Sequence, residues 1–430
     1  MSSGPAVFKV IPATLTYGWG KQGKESRVAQ LATASQIPGF KVDEGTAYAE
    51  LWMGTYPKAP AKLISSGQLL SEHLASQPAL IGSPILGKFK EAPRGELPFL
   101  FKVLSIGKAL SIQIHPDKES AEKLHKANPD MYGDPNHKPE MALAITPFSA
   151  LIGFRPLKEI AHYVKSVPEL NSVPPKEVVD KFLSVAESSG ASKEDGKAAL
   201  KDLFASIITA DENKLKEAVQ ALVQRYKAGK VNDGEEQELV KLVLTLDSQF
   251  PSDVGIFAAF ILNYIHLNPG EAIFIAAGTP HGYISGDCFE CMANSDNIIH
   301  AGLTPDEKDI PNFISSAVYN PVPPSELMLQ PQPFKSSSDA STLFDPPISE
   351  LSIVQIKVGK GRKEEHPPLG GPSIAIVSEG KGTVTWGATA GQTLDVGPGD
   401  AFFIGAGTGV TFENKLGDGE FLVCRAFVED

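Results

Sequence analysis

Residues 269–283 read P-G-E-A-I-F-I-A-A-G-T-P-H-G-Y, and residues 398–412 read P-G-D-A-F-F-I-G-A-G-T-G-V-T-F. Pro, Gly, Ala, Phe, Ile, Ala, Gly and Thr fall at the same offsets in both, with Glu matched by Asp. Pro-Gly-acid makes a tight turn into a short apolar strand and Ala-Gly-Thr makes the turn out, so one turn-strand-turn unit is used twice. The fold implied is mainly β, with two related barrel or sandwich units of cupin or jelly-roll type. The copies part at their thirteenth position, where the first has His281 and the second Val410. Only the first unit is then equipped to hold a metal in this way, and the second reads as a packing partner.

Outward from the repeat, residues 1 to about 156 alternate short apolar runs with Pro and Gly turns, as antiparallel β structure does. A-E-K-L-H-K-A at 121–127 reads as a short helix among them. β character returns at Val254. Between these stretches, from about Leu157 to Gln249, apolar residues such as Val178, Val179, Phe182 and Leu183, and then Leu215, Ala218, Val219 and Leu222, recur at helical spacing. Ser192 and Asp211 stand where helix caps belong. The division expected is a discontinuous catalytic cupin unit (1–156 plus 250–325), an inserted all-α domain (157–249) and a C-terminal cupin-like unit without a metal site (326–430). P-V-P-P at 321–324 and Q-P-Q-P at 330–333 read as an extended linker strapped across the surface.

A chain of 430 residues with 42% hydrophobic and 21% charged residues has material for a large core. The net charge of -12 argues against nucleic acid or an anionic membrane as partner, and no obligate protein partner is evident. An anionic substrate must therefore be met by a few local cations. M-S-S-G-P-A-V-F-K-V has no basic segment followed by a long apolar core, and the most apolar run, I-F-A-A-F-I-L, falls short of the about 20 residues a bilayer needs. A cytoplasmic protein is expected. Cys288, Cys291 and Cys424 suit reduced thiols there, and the lone C-x-x-C of the first two reads as structural.

The chemistry gathers on S-I-Q-I-H-P-D, residues 111–117. On a strand, Gln113 and His115 share one face and Ile112 and Ile114 the other. Glu140 in H-K-P-E-M adds a carboxylate, and His281 a second imidazole. Two imidazoles, a carboxylate and an amide oxygen suit Zn²⁺ or a similar divalent ion, with room left for water or substrate.

S-I-Q-I-H-P-D-K, N-H-K-P-E-M and P-H-G-Y-I-S-G-D-C-F-E-C-M-A-N-S-D-N together closely resemble the type I mannose-6-phosphate isomerases, zinc-dependent cupin enzymes. Y-G-W-G-K, A-E-L-W-M-G, I-G-F-R-P and A-G-L-T-P extend the resemblance over essentially the whole chain in the same order. It implies one Zn²⁺ per chain held by Gln113, His115, Glu140 and His281. The implied reaction interconverts mannose 6-phosphate and fructose 6-phosphate through a cis-enediol, feeding mannose into GDP-mannose and glycosylation. Such a reaction needs a proton shuttle; Glu290 is the first choice, with Lys138 to supply a proton or stabilise charge and Asp296 as third candidate. The resemblance places Ser111 and Lys102 at the cavity mouth for the phosphate, both on the strands that deliver Gln113, and Trp19, Glu50 and Tyr283 along the cavity wall. One departure stands out. Where the family has an arginine before A-G-L-T-P-K, this chain has His300, and Asp306 replaces the lysine. A histidine offers no guanidinium fork, so a weaker isomerase is expected. Competing readings are a sugar-phosphate sensor without turnover and, less suited to the extra amide ligand, a metal-dependent cupin oxygenase.

Overall fold

The computed structural model describes residues 5–336, 338–387, 391–415 and 419–429. Its central element is the thirteen-residue strand His281–Ala293. The first half of this strand pairs with Phe148–Phe154 and, at His281, with Gln113 of Ile112–Ile114. The second half lies between Phe99–Ile106 and Glu140–Ala144. Partners change at Gly286, where φ is +114° and a Cβ would sit 2.6 Å from the Pro147 carbonyl oxygen. No residue but glycine meets both conditions without strain. Glu50–Met53 and Ala272–Ile275 widen the sheet, and Ile299–Gly302 closes it beyond Ile112–Ile114.

Both outer faces of this unit are covered. Alternation along Phe99–Ile106 sends Phe99, Phe101 and Val103 outward, where with Met141, Leu143, Phe289 and Cys291 they pack against Ile374, Ile376, Phe403, Cys424 and Ala426 of the C-terminal sheet. Each buried phenylalanine there contributes about 1.5–3 kcal/mol. On the other half, Ile112, Ile114, Leu151 and Phe154 share a core with the helical block, including Phe182, Leu203, Phe204 and Leu246. Lys102, Leu104, Gln113 and Glu290 are left facing a cavity inside the unit.

Between the two halves run Leu157–Ser166, Pro168–Ser172, Lys176–Glu187, Lys193–Ile208, Glu212–Lys227 and Gly234–Gln249, all helical. Ser192 forms a capping box with Asp195, and Asp211 accepts from the backbone of Asn213 and Lys214. The helix over the 121–127 stretch spans Lys118–Ala127. The I-F-A-A-F-I-L run departs from the expected return to β at Val254. Val254–Phe257 and Ala258–Ile261 are helical turns, started by the Asp253 carboxylate, which accepts from Gly255 N and Leu303 N at 2.7 Å each.

The C-terminal unit has an eight-stranded and a four-stranded sheet around Val354, Ile356, Val377, Phe402, Val410 and Phe412. Its larger sheet includes Val7–Ile11, which pairs with Ala401–Ile404 on one side and with Lys62–Leu63 of the 1–156 stretch on the other, and so joins the two units. Val7 and Val10 face the two cores on either side of that sheet, which is burial no local pattern reveals. The proline-rich connector is part of both sheets: Met328–Leu329 pairs with Ala272–Ile273, and Gln332–Pro333 with Ser341–Phe344.

Candidate metal centre and catalytic cavity

His115, Glu140 and His281 converge because three strand ends meet. His281 lies opposite Gln113, and Glu140, first residue of its strand, lies opposite Ile275 and Met292. Glu140 bridges the imidazoles, Oε2 standing 3.3 Å from His115 Nε2 and Oε1 3.1 Å from His281 Nε2. The three donor atoms lie within 4.8 Å of one another, and all three residues are buried. Each ring donates its other nitrogen to a backbone carbonyl: His115 Nδ1 to Asn297 O at 2.8 Å and His281 Nδ1 to Thr279 O at 2.9 Å. In the neutral ring this leaves Nε2 as the lone-pair nitrogen, the arrangement metal-binding histidines use. His115 Nε2 is buried with no hydrogen-bond partner, a cost a coordinated cation removes. Burial and the Lys138 ammonium push the His115 pKa down to about 3. Against burial, the two imidazoles hold Glu140 below the usual carboxylate range. The Gln113 side-chain nitrogen is 3.3 Å from Ser111 Oγ, which leaves its oxygen for the cage. Donor chemistry and the orphaned nitrogen both fit Zn²⁺.

Next to the cage is a buried ionic cluster. In register, Trp52, Lys102 and Glu290 lie side by side on three adjacent strands. Lys102 Nζ is 3.2 Å from Glu290 and 3.9 Å from Glu50, and 4.7 Å above the Trp52 ring. Glu50 accepts from Trp52 Nε1. Burial works against the Lys102 charge, but Glu50 and Glu290 override it and hold the pKa above the ordinary lysine value. Glu290 moves the other way from a simple ion-pair partner: burial and the Glu140 carboxylate raise it to about 7 despite Lys102. Charge counting explains the asymmetry, because Lys102 is shared between two carboxylates while Glu290 also faces a third. Glu290 is thus a carboxylate poised near neutrality.

Lys102 is therefore at the floor of the cavity, 3% exposed, and not at its mouth. Nor is it on the strand that delivers Gln113; that strand follows Ser111, whereas Lys102 pairs with Glu290. A two-residue alternation that puts Phe101 and Val103 on the C-terminal core obliges Lys102 to point inward. Ser111 Oγ bonds His300 Nδ1 at 2.8 Å, and His300 lies opposite Gln113. Burial, with a smaller push from Lys138, lowers the His300 pKa against the pull of Asp306. Lys138 Nζ is 3.9 Å from Glu140, and the Tyr283 hydroxyl donates to Glu140 at 3.1 Å. Asp296 is tied to Lys58 Nζ at 2.8 Å, and Lys138, Lys102 and Lys58 hold it below the usual range against burial. Lys102, Ser111, Lys138, Tyr283, Asp296 and His300 line one cavity of about 510 Å³ with Trp19, Glu50 and Glu290, within the small-ligand range. Sequence reasoning missed Lys58, Trp52 and Lys108, which also line it, and Asn297, whose carbonyl orients His115. Asn297 carried a signal as the last residue of S-D-N, and Trp52 one as a member of A-E-L-W-M-G; Lys58 and Lys108 carried none.

A strand-built unit that gathers two imidazoles, a carboxylate and an amide beside one cavity defines a metal-binding cupin. Comparison with known proteins gives the particular family. The chain belongs to the type I phosphomannose isomerases: residues 7–157 match the description "Phosphomannose isomerase type I, catalytic domain", and residues 176–262 match "Phosphomannose isomerase type I, helical insertion domain". It is 45% identical over 440 residues to a mannose-6-phosphate isomerase of Cryptococcus neoformans, covering 99% of each chain. It is 43% identical over 397 residues to that of Schizosaccharomyces pombe, covering 91% of this chain and 92% of the relative. Among solved structures, mannose 6-phosphate isomerase of Salmonella typhimurium bound to substrate (f6p) and a zinc atom is 28% identical, with a TM-score of 0.79 over 99% of this chain and 100% of the other.

Proposed function

We infer that this chain is a zinc-dependent aldose-ketose isomerase that interconverts mannose 6-phosphate and fructose 6-phosphate. The observation that carries the reading is a cation cage and a buried carboxylate, Glu290, paired with Lys102 in one cavity, in a chain that matches isomerases end to end. Gln113, His115, Glu140 and His281 would hold the metal, which when bound supplies an electrophile for the oxygens on which charge develops. Glu290 takes the proton from C2 of the open aldose and returns it to C1 of the enediol, while the O2 hydroxyl proton passes to O1, so that one C–H and one O–H bond are broken and one of each is formed. Lys102 beside it keeps the carboxylate in place and limits its basicity, and Lys138 offsets the negative charge that grows on the substrate oxygens. Tyr283 orients Glu140. Ser111, with His300 bonded to it, offers donors to the phosphate, and Trp19 and Glu50 complete the wall. Asp296, tied to Lys58, serves the rim better than the proton transfer.

The same reading places the chain in the supply of mannose for GDP-mannose and in the cytoplasm, where three buried free thiols persist. No helix among the described residues is long and apolar enough to cross a membrane. Full-length likeness to isomerases disfavours both the sensor and the oxygenase.

The test is a coupled assay on mannose 6-phosphate with the purified chain before chelation, after it, and with Zn²⁺ restored. Turnover should vanish and return. Turnover that survives complete chelation refutes the metal requirement, and none in a folded, zinc-loaded chain refutes the isomerase.

A further inference from the structure

Strand register allows the two β units to be matched residue by residue. Ile275 and Ile404, equivalent in the repeat, lie opposite Glu140 and Ser373 respectively. His281 lies opposite Gln113, and its counterpart Val410 opposite His366. Glu290 sits between Ala142 and Lys102; Arg425 sits between Ala375 and Val354. One strand further out, Glu50 pairs through Leu104 and Ser341 through Ile356. The counterparts of Gln113, Glu140, Glu290 and Glu50 are thus His366, Ser373, Arg425 and Ser341.

Those four residues meet inside the C-terminal unit. Arg425 donates through Nη1 to His366 Nδ1 at 3.1 Å and through Nη2 to Ser373 Oγ at 2.8 Å. Since a guanidinium only donates, His366 Nδ1 carries the lone pair and Nε2 the proton. That proton is given to Ser341 Oγ at 2.8 Å, whose hydroxyl is given to Glu364 at 2.7 Å. Arg425, His366, Ser373 and Glu364 are 1%, 3%, 0% and 0% exposed. Around them are Val354, Val410 and Phe412. Burial lowers the Arg425 pKa to about 9, which still leaves it charged at pH 7. Burying an arginine inside a barrel is costly in desolvation, and packing alone gives no reason for it.

We propose that the C-terminal unit is a metal-cupin cage in which the guanidinium of Arg425 has taken the cation's place. Two of its acceptors, His366 and Ser373, occupy the positions that Gln113 and Glu140 hold around the first unit's metal. The Glu429 carboxylate, four residues on, supports the Arg425 charge against burial, and the His366–Ser341 chain of hydrogen bonds ends on the buried Glu364. Neither imidazole of the first cage is kept, Pro368 and Val410 standing at the places of His115 and His281, and its carboxylate is replaced by Ser373, so an exogenous ion is exchanged for one built into the chain.

The test is zinc stoichiometry of the full-length chain after exhaustive dialysis, against the single ion that the proposed function assigns to the first unit. S373E/V410H/R425A, which with His366 presents two imidazoles and a carboxylate, should bind twice as much zinc as the unaltered chain. S373E/V410H, with Arg425 kept, should bind no more than the unaltered chain. A folded triple variant with unchanged stoichiometry, or a double variant that doubles it, overturns the proposal. If the triple variant does not fold, R425A is titrated with guanidinium far below denaturing concentrations. A saturable rise in its melting temperature supports a cation position, and no rise overturns it.

Discussion

Replacing Glu290 by Gln keeps the side chain's shape and removes the proposed proton acceptor. General-base contributions run to about 10²–10⁴ in rate, or about 3–5 kcal/mol of barrier. In the coupled mannose 6-phosphate assay kcat/KM should fall by that factor. Zinc content should not change, because Glu290 is not one of the cage donors. Stability should move in a direction opposite to activity. Burial and Glu140 raise the Glu290 pKa from 4.5 to about 7. A carboxylate with a raised pKa holds its proton more tightly in the fold, so its contribution is complete below 4.5 and is lost as pH rises through 7. Above that, ionised Glu290 costs the metal-free fold about 3 kcal/mol relative to the unfolded chain. The E290Q substitution abolishes this cost, less whatever Lys102 loses with its partner, Glu50 remaining at 3.9 Å. Denaturant unfolding of the metal-free proteins should show E290Q gaining on the unaltered chain between pH 5 and pH 8. Undiminished turnover, or a variant that loses ground over that interval, refutes the reasoning.

Gly286→Ala should cost at least ~2 kcal/mol in denaturant unfolding, because the added Cβ meets backbone at 2.6 Å and φ is +114°; a change within the spread of surface substitutions contradicts that role. Glu350, just before Ser352–Val358 of the C-terminal unit, bonds His137 Nε2 at 2.7 Å and so holds the segment that carries Lys138 and Glu140. Glu350→Gln should lower kcat by about 3- to 10-fold, about 1 kcal/mol, with zinc retained; a loss of melting temperature at constant kcat assigns the link to the fold alone. His300→Arg restores a permanent cation beside Ser111, where burial keeps the imidazole neutral, and should raise kcat/KM. An unchanged or lower value shows that this position does not limit the enzyme.

The metal donors were legible because each sits in a short motif whose residue types are rare together, and the two β units because the same turn chemistry flanks both copies. Helix caps at Ser192 and Asp211 were legible for the same local reason. What stayed hidden depends on register between distant strands. Nothing near Lys102 in the chain says that Glu50 and Glu290 flank it; the resemblance places it at the mouth, and strand alternation puts it at the floor. Val7–Ile11 pairs on one side with Lys62–Leu63, and nothing near it in the chain says that its other partner lies almost 400 residues on, at Ala401–Ile404. Arg425 was unreadable as a buried group because its neighbours in F-L-V-C-R-A-F-V mark only a strand, and its acceptors come from two other strands.

Strand geometry gives the bend at Gly286 a meaning in terms of length. A straight strand advances about 3.3 Å per residue, so nine steps from His281 to Glu290 would separate them by about 30 Å. Both nevertheless line one cavity. A single strand thus delivers a cage donor and the proposed base to the same cavity only because it departs from a straight line between them, with Gly286 at the change of partners. The distance between the two chemistries is set within thirteen residues and does not depend on how separate domains happen to close.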